Sequence, residues 1–125
     1  MFERLREALR AALEAATPPP DLREIAGQMR DAVIQAKAGV GAMREALEQA
    51  ERELDHQRAE RDTTVRRRDL AAGIEDRETV EVAERFVAKQ QERVAVLERK
   101  VAAQREELAL AERDLAELHA HPAEV

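Results

Sequence analysis

The stretch VEVAERFVAKQQERVAVLERKVAAQREELALAERDLAEL, Val80 to Leu118, decides the fold. Its apolar residues step by three and four through Val80, Ala83, Val87, Val94, Leu97, Val101, Leu108, Ala111, Leu115 and Leu118, and only Gln90 and Gln104 interrupt the line. A mean step of 3.5 residues keeps one narrow stripe turned toward a partner helix along its whole length. The pattern predicts one arm of a coiled coil.

The expected partner is the first half of the same chain, where Leu22, Ile25, Met29, Val33, Ala36, Val40, Met43, Leu47, Ala50 and Leu54 form a similar line with a four-four stutter at its start. Beyond Leu54 the line thins: DHQRAERDTTVRRRD, residues 55–69, offers only Ala59 and Val65. Gly73 stands where a left-handed, helix-ending residue is wanted, and Asp76 is placed to cap the returning helix. The expected architecture is all-α, a long antiparallel helical hairpin over residues 21–119 with its turn near 73–76. Its arms are about 52 and 44 residues, or roughly 78 and 66 Å. Pairing centred on Gly73 puts Leu54 beside Glu92 and Val94.

Pro18, Pro19 and Pro20 separate this hairpin from what precedes it, because proline lacks the N–H a helix interior needs. Residues 1–16 are therefore expected as a separate short helix, 17–20 as a linker, and 120–125 as a frayed tail. Asp21 is placed to cap the first arm. In the short helix Phe2, Leu5, Leu9, Leu13 and Ala16 share a narrow apolar sector, with Glu3, Glu7, Arg10 and Glu14 on one flank. Such a helix either lies in a membrane interface, with Arg4, Arg6 and Arg10 attracted to anionic lipid, or folds back on the hairpin.

Composition agrees with long exposed helices: 44% of the 125 residues are hydrophobic and 38% charged, but only 2% are aromatic, too few large rings for a thick core. There is no cysteine, which excludes disulfides and thiolate chemistry. A net charge of −6 argues against a nucleic-acid partner, which would require a surplus of Lys and Arg. Arg66, Arg67 and Arg68 read as a solvated helix end. His119 and His121 point to different sides of a helix and His56 lies in a polar stretch, so no metal site is expected. No phosphate loop or nucleophile elbow is present in the sequence. Neither cofactor nor enzymatic activity is expected.

Near the turn the second arm offers Val80, Val82, Ala83, Phe86 and Val87, whereas the first answers with Arg58, Arg61, Thr64 and Arg66. Burying Phe86 and the valines contributes about 1.5–3 kcal/mol each, so this tip is a candidate surface for another molecule, its alternative being partial cover by the arginine stems of the first arm. A second line outside the seam, Val82, Val96, Ala103 and Leu110, is a further candidate contact, its alternative being ordinary Ala- and Val-rich helix surface. The self-assembly candidates are thus Val80, Val82, Phe86, Val87, Val96 and Leu110.

An amphipathic first helix, a proline break, an arm beginning DLREIAGQMRDAV (21–33), a polar tip and then AAGIEDRETVEVAERFVAKQQERVAVLERKV (71–101) resemble the phage-shock protein A family. That family includes the vesicle-inducing protein in plastids and is related in fold to ESCRT-III. The positions that carry the likeness are Gly73, Glu75, Asp76, Ala83 and Lys89. The resemblance implies a short member without the family's further C-terminal helices. It also implies a peripheral protein at the cytoplasmic, inner face of the cell membrane that binds anionic lipid through its first helix. Through its hairpin such a protein assembles with further copies, or with a longer homologue, into polymers that remodel or protect membranes. The alternative is a soluble coiled-coil adaptor or chaperone-like hairpin acting only through protein partners.

Overall fold

The protein is described from a computed structural model, which covers residues 2–16 and 21–120. The linker at 17–20 and the tail beyond Ala120, with His121, lie outside the described residues. Three helices follow in order: α1 (Phe2–Ala16), α2 (Leu22–Gly73) and α3 (Arg77–Ala120). The contacts group the chain into two units, Met1–Gln35 and Ala36–Val125. The division between the units falls inside α2, after Gln35. The residues before it expose much of their apolar line, with Leu22 at 80% and Ile25 at 37%, and the buried part of that line begins at Val40.

In the first unit α2 starts as its sequence dictates. The backbone N–H of Arg23 donates to Asp21 Oδ1 at 3.3 Å, and the Asp21 carbonyl accepts from Glu24 and Ile25. Asp21 thus satisfies N–H groups that the first turn leaves without intrahelical partners.

In the second unit α2 and α3 pack as an antiparallel hairpin. Every position of the predicted α3 line from Val80 to Leu115 is buried or half-buried, Gln90 and Gln104 included, and Leu118 is exposed. On α2 the facing line runs in the same alternating steps from Ala36 through Val40, Met43, Leu47, Ala50 and Leu54. The core cluster is Ala50, Leu54, Val94 and Val101, with Leu47 and Leu97 against it. Small and β-branched residues at these positions allow close approach of the two helices, and Val94 is only 1% exposed.

The α2 line does not stop at Leu54. It continues through Gln57, Arg61, Thr64 and Arg68, all half-buried, to buried Ala71. The tip therefore has an internal partner for Val80, Ala83 and Val87, which corrects the expectation of an unmatched apolar end. The reason lies in the dual character of arginine, whose methylene stem covers apolar surface while its head stays in water. Arg61 and Arg68 turn their guanidinium groups to the neighbouring carboxylates Asp62 and Asp69, at 3.2 and 3.1 Å.

The turn also differs from expectation. Gly73 is the last residue of α2, and it is Glu75 that takes the left-handed conformation, with φ of 58°. The N–H of Asp76 donates to the Ala71 carbonyl at 2.9 Å and that of Glu75 to Ala72 at 3.2 Å, the paired bonds of a Schellman ending with Glu75 at its left-handed position. Asp76 then caps α3: the Thr79 N–H donates to Asp76 Oδ1 at 3.1 Å, and the Thr79 hydroxyl donates to Oδ2.

Two predictions follow from this turn. Glu75→Gly removes the left-handed strain of a residue with a Cβ, partly offset by the extra entropy of unfolded glycine, and should raise stability in urea by about 0.5–1 kcal/mol. The hydroxyl of Thr79, and after it the Thr79 N–H, hold the Asp76 carboxyl below its ordinary value. Its folded pKa is lower than its unfolded one, so its stabilising effect is complete above the unfolded value and is lost as pH falls through the folded value. The difference in urea midpoint between the native chain and Asp76→Ala should hold steady from neutral pH to about 5 and narrow below about 4.

Candidate functional surfaces

The predicted functional residues fall into two groups on separate helices. On α1, Phe2, Leu5, Leu9 and Leu13 recur at helical spacing along one stripe, and their exposures run from 57% at Leu9 to 86% at Phe2. The helical period places Arg6 and Arg10 beside this stripe on one flank and Arg4 on the far side of the helix. All three arginines are exposed. This helix therefore presents an exposed apolar edge with two cations next to it and the third turned away.

On α3 the six self-assembly candidates are divided by the seam. Val80 and Val87 are half-buried within it, whereas Val82, Phe86, Val96 and Leu110 are 43–56% exposed. A shallow groove over Val82 and Phe86 is walled by Arg85 and Lys89. Another, between the arms, is lined by Glu53, Gln57, Arg93, Val96 and Leu97.

One flank of the hairpin carries a ladder that periodicity alone did not reveal. Arg44 pairs with Glu112 at 3.1 Å, Glu51 with Arg105 at 3.2 Å and Arg58 with Glu98 at 3.3 Å. Each rung is one heptad from the next, and the sign alternates along both arms. The rungs lie further along α3 than pairing centred on Gly73 would put them. Two causes add: the true turn is centred beyond Gly73, and every Cα–Cβ bond tilts toward its helix N-terminus. In an antiparallel pair that tilt brings an α2 side chain to an α3 residue further from the turn. The usable signal in the sequence was the alternation of Arg44, Glu51 and Arg58 against Glu98, Arg105 and Glu112.

The seam holds three buried glutamine oxygens without a hydrogen-bond partner, on Gln57, Gln90 and Gln104. These glutamines interrupt the aliphatic seam with polar groups.

Of the histidines, His56 lies 3.1 Å from Glu60 with its side chain 67% exposed, and His119 is exposed on the last turn of α3. Among the described residues no group of three His, Cys, Asp or Glu side chains is placed to hold a metal ion. No described helix is long and apolar enough to cross a membrane. No family model, curated protein or solved structure matches the chain.

Proposed function

We propose that this chain is a membrane-associated, self-assembling structural protein of the phage-shock protein A kind, without enzymatic activity. The observation that carries the reading is the stripe of Phe2, Leu5, Leu9 and Leu13, four large apolar side chains held in one line and open to solvent. Laid in a bilayer interface, each contributes about 1.5–3 kcal/mol before ordering and partial exposure are subtracted. Arg6 and Arg10, beside the stripe, add about 1 kcal/mol each over anionic lipid, against which Glu3 and Glu7 act. One copy binds weakly and reversibly. Several copies joined through their hairpins bind firmly, because each insertion after the first is intramolecular. Association at the inner face of the cell membrane, and remodelling or protection of that membrane, complete the proposal.

A second reading, a soluble hairpin that acts on protein partners, draws support from Phe86, which is 56% exposed close to the turn. It requires no lipid. Co-sedimentation with vesicles containing phosphatidylglycerol separates the two, using the native chain and Leu9→Glu/Leu13→Glu, whose changes lie on exposed positions of α1. The membrane reading predicts that the native chain pellets with anionic vesicles and that the variant loses about tenfold or more in binding. Equal binding by both, or no binding by the native chain, overturns it.

A further inference from the structure

The outer face of α3 carries a pattern that the hairpin itself does not use. Val82, Lys89, Val96, Ala103, Leu110 and Glu117 stand one heptad apart on a single line, and all six are exposed. A spacing of seven keeps residues in line along a helix, so this is a second stripe, distinct from the buried one that faces α2.

Turned end for end about Ala103, the stripe complements itself. Val96 then meets Leu110, and Lys89 meets Glu117. On one side of the line Arg93 falls opposite Asp114 and Lys100 opposite Glu107. On the other side Glu92 falls opposite Arg113 and Arg99 opposite Glu106. All these charged residues are exposed, and none takes part in an ion pair among the described residues. The α3 charges that do pair with α2, Glu98, Arg105 and Glu112, belong to the other flank. A parallel arrangement fares worse: it sets Arg93 beside Glu92 and Asp114 beside Arg113, but also Lys100 beside Arg99, Glu107 beside Glu106, and Lys89 and Glu117 against their own copies.

We infer that a second copy of this chain docks on this face, α3 against α3, antiparallel about a two-fold axis at Ala103. The inference rests on the self-association part of the function proposed above and narrows it to one interface. A two-fold contact must be self-complementary, because the same patch serves both partners. Here opposite charges meet on both flanks of an apolar centre. The small side chain at the axis permits the close approach of two helices, whose axes pack about 8–10 Å apart. Val82 and Phe86 lie outside the paired stretch and stay free.

Sedimentation of the full chain without lipid tests this with two charge variants. Arg93→Glu/Lys100→Glu makes one flank of the stripe wholly acidic, and Glu107→Lys/Asp114→Lys makes it wholly basic. The native chain should sediment as a pair. Each variant alone should dissociate about tenfold or more readily, and an equimolar mixture should restore the pair. A native chain that stays single, or a mixture that associates no better than its parts, overturns the inference. Native assembly that neither variant disturbs also overturns it, and leaves self-association standing through another surface. The exposed positions spare the fold, which circular dichroism verifies. As a second measurement, Ala103→Cys places the only thiol of the chain on the axis. Mild oxidation should link it to its symmetry mate faster than Ala102→Cys, whose side chain points about 100° away around the helix. Equal rates contradict the assigned axis.

Discussion

The register between α2 and α3 is the constraint on which the rest of the structure depends. Two features define it together. The seam permits slips by whole heptads, because a move of seven residues returns a similar apolar line to the interface. The flanking ladder opposes such slips: moving α3 by one heptad would set Arg44 against Arg105 and Glu51 against Glu98. Each rung is solvent-exposed, with side-chain exposures of 40–64%, and contributes only about 0.2–1 kcal/mol. The ladder thus selects among pairings more than it adds stability, while the burial of Leu54, Val94 and Val101 holds the arms together.

The seam changes character along its length. Around Leu54 it is aliphatic, but toward the turn Gln57, Thr64 and arginine stems replace leucine and valine on α2. Thr63 and Thr64 also return their hydroxyls to carbonyls four residues earlier, at 3.0 Å, so these polar side chains find partners within their own helix. The oxygens of Gln57, Gln90 and Gln104 find none among the described residues. A hairpin built in this way is most firmly packed in its middle. The turn compensates through local bonds, with the Schellman ending of α2 running directly into the Asp76 cap of α3.

Much of this was legible in the sequence, for identifiable reasons. The α3 seam could be read residue by residue because its steps never break, and Asp21 and Asp76 could be read as caps because a carboxylate before an amphipathic run has few other local uses. The tip could not. An apolar count treats Arg61 and Arg68 as polar, although their stems lie over the seam. The left-handed residue was misplaced by two positions because glycine is the usual candidate, and here the bonds from Asp76 and Glu75 to Ala71 and Ala72 fix that conformation on Glu75. Of the candidate surfaces, the α1 stripe was visible from its period. The self-complementary face of α3 required knowledge of which charges the hairpin already uses.

The candidate surface on α3 follows from what the seam leaves over. A two-helix pairing buries one stripe per arm, so α3 retains an outer face. That face depends on α3 presenting the seam from Val80 to Leu115 to α2, since any other rotation or register would bury different residues and expose a different outer line. Methyl-labelled nuclear magnetic resonance of the native chain measures this most directly. Intrachain contacts should connect Leu47 or Leu54 with Val94, Leu97 or Val101. Contacts from Leu54 to Leu108 instead, or no α2–α3 methyl contacts at all, would contradict the register and with it the assignment of the outer face.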